Sequence, residues 1–107
     1  MIIMQFDEYQ QAALRTVNPT LDARDRLLDA SAGLAEEAGE ILGLVRKRTF
    51  QERDISDGQL IEELGDVLWC LAVTADSLGF SLAEIAEQNQ AKLTARHPEG
   101  WSRSPKE

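Results

Sequence analysis

Apolar residues in this sequence recur at helical rather than strand spacing, and that periodicity confines the chain to an all-α fold. Leu27, Leu34, Ala38, Ile41 and Val45 follow a spacing of about 3.5–3.6 residues, and Leu60, Leu64, Val67, Leu71, Ala75 and Leu78 continue it further along. The alternation of β-branched and aromatic residues that marks a half-buried strand is nearly absent.

Four helical segments follow. The first covers about 6–17, with Phe6, Tyr9, Ala13 and Leu14 on one side. Asn18-Pro19 stops it, because the residue before proline is driven out of the helical region. The second covers about 22–48 and ends in Arg46-Lys47-Arg48, where cations suit the helix dipole. The third covers about 57–78: Ser56 is placed to cap it, Gln59 lies three residues on, and Gly79 supplies a stop. The fourth covers about 82–96, opened by Ser81 and Glu84 and closed by Pro98 and Gly100. The short connectors predict that helices two, three and four pack as antiparallel neighbours in a bundle. The 107 residues are expected to form one domain over 1–107, with its core at about 6–97 and a loose tail at about 102–107. A core this small is expected to be completed by oligomerisation.

Composition limits the partners. The formal net charge of −8 argues against a nucleic-acid polymer but not against a single nucleotide. An acidic protein that holds phosphates must neutralise them locally, with a metal ion or a few placed Lys and Arg. No run approaches the roughly 20 apolar residues of a membrane span, and the first residues lack the basic segment and apolar stretch of a signal peptide. With a single cysteine, Cys70, there is neither a disulfide framework nor a CxxC metal site. Cys70 lies in an apolar run and is expected to be a buried, inert thiol. The expected compartment is cytoplasmic.

An internal duplication points to chemistry. Ala35-Glu36-Glu37-Ala38-Gly39-Glu40-Ile41-Leu42 and Ile61-Glu62-Glu63-Leu64-Gly65-Asp66-Val67-Leu68 share one pattern: apolar, Glu, Glu, apolar, Gly, acid, β-branched, Leu. At about 100° per residue, Glu37 and Glu63 fall on the edge of their apolar stripes. Glu40 and Asp66 lie farther out, and Glu36 and Glu62 face water most. If the two helices pack antiparallel, Glu37, Glu40, Glu63 and Asp66 converge. Converging carboxylates repel unless protonated or bridged by a cation, and hard oxygen ligands suit Mg²⁺ or Mn²⁺. Acidic residues on helices often simply face solvent. Here, however, the positions four residues on hold Ile41, Leu44, Val67 and Cys70, so none of the four has a basic partner at that spacing. Gly39 and Gly65 cost helix stability and are expected to mark a close helix contact.

Other residues are open to two readings. Arg46, Lys47 and Arg48, and the pair Lys92 and Arg96 with Asn89 one turn earlier, either hold phosphates or form a solvated face. Trp69 either stacks on a base or packs in the core or a subunit interface. His97 is the only histidine, which argues against a zinc or di-iron site. There is no Walker-type Gly-Lys loop and no Gly-x-Ser-x-Gly.

Glu36-Glu37-x-x-Glu40, then 22 residues, then Glu63-x-x-Asp66 resembles the EExxE…ExxD signature of the MazG-like nucleotide pyrophosphohydrolases. The flanking words Gly33-Leu34-Ala35 and Val67-Leu68-Trp69 agree, as do Ser81-Leu82-Ala83-Glu84-Ile85-Ala86 and Asn89-x-x-Lys92-Leu93-x-x-Arg96. The resemblance covers about 27–101. It implies an all-α enzyme that cleaves nucleoside triphosphates or deoxynucleoside triphosphates between the α and β phosphates, giving a monophosphate and pyrophosphate. It implies Glu37, Glu40, Glu63 and Asp66 as Mg²⁺ ligands, with Mn²⁺ as a substitute. Glu36 would be an occasional ligand or would position the attacking water. Lys92, Arg96, Lys47 and Asn89 would contact the substrate, and Trp69 is a candidate to do so. The resemblance also implies a homodimer or homotetramer with sites near subunit interfaces. Two alternatives remain: a dUTP, dCTP or phosphoribosyl-ATP pyrophosphohydrolase of the same superfamily, and a non-catalytic helical module for oligomerisation or binding.

Overall fold

Four helices account for the regular structure in the computed structural model, which describes residues 3–104. They are α1 (Phe6–Leu14), α2 (Ala23–Phe50), α3 (Asp57–Ser77) and α4 (Leu82–Arg96), and no strand is present among the described residues. The all-α, four-helix expectation therefore holds. Residues 105–107 of the expected loose tail lie outside the described residues.

The caps explain where the helices start and stop. Asp22 accepts from the Asp25 backbone N–H at 2.8 Å to open α2. Ser56 and Gln59 form the expected capping box on α3: Ser56 Oγ accepts from Gln59 N, and Gln59 Oε1 accepts from Ser56 N. Ser81 Oγ accepts from Glu84 N to open α4. At the end of α3, Gly79 takes φ +86, Phe80 N–H reaches Ala75 O, and Gly79 N–H reaches Asp76 O. This reversal needs a left-handed residue, and glycine adopts that conformation without strain. Helix α1 ends at Leu14, earlier than expected. Its last turn tightens instead: Arg15, Thr16 and Val17 each donate to the carbonyl three residues back, and the Thr16 hydroxyl also bonds Ala13 O.

Helix α2 packs on α3, and α1 and α4 pack on α3 and on each other. The register of α2 on α3 is antiparallel. Arg26 meets Asp76 and Ser77 at one end, Gly33 meets Cys70 in the middle, and Arg48 meets Asp57 and Ile55 at the other end. The chain then bends by 98° between α3 and α4. The α4 leg therefore crosses α3 nearly at right angles rather than running antiparallel to it. The Gly79 reversal turns the backbone sharply, and Gln10 holds the result. Its side chain is buried; the amide donates to Ala72 O and Phe80 O, and its oxygen accepts from Leu82 N.

The core beside that junction consists of Ala13, Ala72, Ala75 and Leu82, with Tyr9 and Trp69 packed against it. Of the stripe expected on α3, only Ala75 is fully buried in the core. Leu64 and Leu78 are 53% and 55% exposed, whereas Cys70 and Val73 are buried. Apolar residues surround most of α3, so its small side chains serve the close contact with α2 while its leucines cover other faces. Leu42 and Phe50 on α2, Ile61 on α3 and Leu93 on α4 are likewise exposed in the single chain. No single helix among the described residues is long and apolar enough to cross a membrane.

Candidate metal centre

The antiparallel register brings the two copies of the duplicated motif together. Glu37 of α2 and Glu63 and Asp66 of α3 each offer a carboxylate oxygen, and these oxygens all lie within 4.8 Å of one another. Glu37 and Glu63 are half-buried, because the residues beside them fill the α2–α3 contact. Asp66, one turn along from Glu63, stands at the exposed lip. Glu40 is outside this trio but close enough to Glu63 to be perturbed by it.

The electrostatics are those of crowded acids. The Glu40 carboxyl is raised above its ordinary 4.5, first because it shares a hydrogen bond with Glu63 as the protonated partner, then by the charge of Glu63. Glu63 is raised as well, first by the hydrogen bond it shares with Glu37. With all of them ionised, no donor among the described residues reaches Glu37 Oε2 or Glu63 Oε2, although both atoms are buried. The ion pairs between α2 and α3 lie at the ends of their contact: Arg26 pairs with Asp76 at 3.4 Å and Arg48 with Asp57 at 2.9 Å. They tie the two ends of the α2–α3 pair, and among the described residues no ion pair reaches the acids between them.

This donor set fits a hard divalent cation. Mg²⁺ takes carboxylate oxygens and retains positions for water or phosphate, and buried oxygens without donors are costly unless a cation or proton meets them. Glu37, Glu63 and Asp66 would hold the ion, with Glu40 next to them.

A cavity of about 360 Å³ opens beside the carboxylates. Glu36, Glu37 and Asp66 line its acidic end, and Gly33, Cys70, Trp69, Ala32 and Asp29 line the rest. The Cys70 thiol is pushed above 9.0 by burial and then by the charges of Glu37, Asp66, Asp29 and Glu36, so it stays protonated and unreactive. Burial, and then Asp66, likewise holds the Tyr9 phenol above 10.0.

The remaining sequence candidates lie elsewhere. Lys47, Asn89, Lys92 and Arg96 are exposed, and none lines the cavity. Arg96 borders a separate cavity with Pro98 and Trp101. Trp69 does line the carboxylate cavity. Its indole N–H donates to Thr16 Oγ1 at 2.7 Å. Gly39 and Gly65 do not mark a close contact within the chain, since a Cβ built on either meets nothing within 4 Å. The close approach falls at Gly33, where a Cβ would meet Cys70 Sγ at 3.2 Å. Gly33 and Asp29 were missed by sequence reasoning. The available signal was spacing, because they precede Glu37 by four and eight residues on one helix face.

A family model described as the MazG nucleotide pyrophosphohydrolase domain matches residues 27–101. The Gene 37 protein of Mycobacterium phage L5 is 35% identical over 109 residues, covering 91% of this chain and 92% of the relative. The uncharacterised protein YvdC of Bacillus subtilis (strain 168) is 39% identical over 72 residues, or 59% of this chain and 68% of the relative. The uncharacterised protein YpjD of the same organism is 35% identical over 75 residues, covering 67% and 68%. No solved structure matches the chain.

Proposed function

This chain belongs to the MazG nucleotide pyrophosphohydrolase family, and from that premise we propose that it hydrolyses nucleoside triphosphates between the α and β phosphates with the help of Mg²⁺. The observation that carries the reading is the trio Glu37, Glu63 and Asp66, drawn from two helices to within 4.8 Å and left without a basic partner among the described residues. A structural role would favour neutral or paired side chains there, because uncompensated acids at a helix contact cost stability.

In this reading Glu37, Glu63 and Asp66 hold the ion, and Glu40 completes the acidic surround. Bound Mg²⁺ would polarise phosphoryl oxygens and lower the pKa of a bound water. Water adds to phosphorus, the bridging P–O bond breaks, and the products are a nucleoside monophosphate and pyrophosphate. Glu36 lines the cavity but stands outside the trio, which leaves its carboxylate to take up the proton of the attacking water. No lysine or arginine among the described residues lines the cavity, so Lys47, Asn89, Lys92 and Arg96 would reach the phosphates from a second copy. The exposed apolar side chains of α2, α3 and α4 support such an assembly.

The test is product analysis over a panel of nucleoside and deoxynucleoside triphosphates with Mg²⁺. Pyrophosphate and monophosphate are expected, with release abolished by a chelator and sharply lowered by Asp66→Asn. Orthophosphate as the product, or turnover untouched by the chelator, would overturn the reading.

A further inference from the structure

The cavity extends beyond the acids, and its far end has a chemistry of its own. Moving along the α2–α3 pair away from Glu37 and Asp66, the next level is Gly33 opposite Cys70, and then Asp29. Seven residues separate Glu36 from Asp29, about 10 Å of helix rise, which is the scale of a nucleoside. Gly33 presents no side chain to this stretch, and Cys70 Sγ stands 3.2 Å from where a Cβ would sit, so glycine backbone and thiol together form the floor between the two acidic ends.

We propose that this stretch is the base subsite, with Trp69 as the stacking face and Asp29 as a hydrogen-bond acceptor that selects bases carrying an amino group. The proposal rests on the pyrophosphohydrolase reading for its orientation, with phosphates toward Asp66 and base toward Asp29.

Two observations beyond the cavity support these roles. The indole N–H of Trp69 is already committed to Thr16 Oγ1, whose hydroxyl in turn donates to Ala13 O at 2.7 Å. The indole is therefore held by the turn that follows α1 and has only its π surface left to offer, which stacks on any base. Asp29 makes no ion pair among the described residues, and its i−3 neighbour Arg26 is occupied by Asp76 and Ser77. A free carboxylate accepts hydrogen bonds and donates none. Guanine offers it two adjacent N–H donors, and cytosine and adenine each offer an exocyclic amino group. Uracil and thymine flank their one N–H with carbonyl oxygens, which a carboxylate repels.

The expected preference is guanine first, then cytosine and adenine, with uracil and thymine disfavoured by about tenfold or more, the scale of one hydrogen bond to a charged group. The experiment has two arms. One measures kcat/KM for pyrophosphate release from dGTP, dCTP, dATP and dTTP. The other measures binding of the four deoxynucleoside monophosphates, which needs no turnover. Asp29→Asn should collapse the ratio between dGTP and dTTP toward unity in both arms, because a carboxamide also donates. Trp69→Phe should retain binding and Trp69→Leu should weaken all four bases together, with circular dichroism confirming that both fold. Equal use of all four bases by wild type would overturn the proposal while leaving the hydrolase reading intact. So would an Asp29→Asn loss that is uniform across bases, as contact with the sugar would give. Base-selective binding without pyrophosphate release would uphold the subsite and sink the hydrolase reading.

Discussion

Two regions of this molecule share helix α3 and are built on opposite terms. At its C-terminal half, α1, α3 and α4 meet around alanines, and the buried side chain of Gln10 has both its amide and its oxygen bonded. At its N-terminal half, α2 and α3 bring together carboxylates whose buried oxygens have no donor. A junction whose buried amide bonds backbone groups of three successive segments is finished when the chain folds. A cluster of unpaired acids is finished only by something the chain does not supply, and that contrast separates scaffold from site.

The contrast can be broken most severely at the acids. Asp66→Asn removes a ligand oxygen and should lower turnover roughly a thousandfold, equivalent to about 4 kcal/mol of barrier. The same change should leave the metal-free melting temperature unchanged or higher, because it relieves repulsion. A drop in Tm would mean that the acids support the fold. Gln10→Leu should do the reverse. It strands buried backbone groups and should cost about 2 kcal/mol, roughly a 10 °C fall in Tm, with divalent-ion affinity retained in the folded fraction.

Titration sharpens the comparison further. Glu40 and Glu63 have carboxyls raised above 4.5 in the metal-free fold. Their folded state holds protons more tightly than the unfolded chain does, so their contribution to stability is full below 4.5 and is lost as pH rises through the raised values. Relative to Glu63→Gln, metal-free wild type should therefore lose stability as pH climbs from 4.5, and saturating Mg²⁺ should remove that slope. Denaturant melts across pH, with and without Mg²⁺, measure it.

The smallest effects test the helix contact. Gly39→Ala meets open space and should raise stability by up to about 1 kcal/mol. Gly33→Ala presses on Cys70 Sγ and should lower it by a comparable amount. A loss in Gly39→Ala at concentrations where copies associate, absent on dilution, would place that glycine at an interface between chains.

Much of this was legible in the sequence. The helices, the Ser56 and Ser81 caps and the Gly79 stop are local signals, and local chemistry decides them. The convergence of Glu37, Glu63 and Asp66 followed from two matching words on neighbouring helices, because antiparallel packing aligns repeated motifs. What escaped depended on tertiary geometry. The 98° bend after α3 is held by Gln10, a residue far outside the acid words whose partners are backbone atoms of distant segments. The buried face of α3 could not be chosen from a helix that is apolar on most sides. For the same reason the close contact was assigned to Gly39 and Gly65 instead of Gly33. Asp29 carried no motif and became visible only through the cavity that it lines with Trp69.

The most direct measurement is a Mn²⁺ titration followed by electron paramagnetic resonance, in which free ion gives a signal that binding broadens away. Wild type should deplete the free-ion signal saturably, Mg²⁺ should restore it by competition, and Glu63→Gln and Asp66→Asn should each weaken the depletion by at least about tenfold. An undiminished Mn²⁺ signal with folded wild type, or equal depletion by both variants, would contradict a cation bridging α2 and α3.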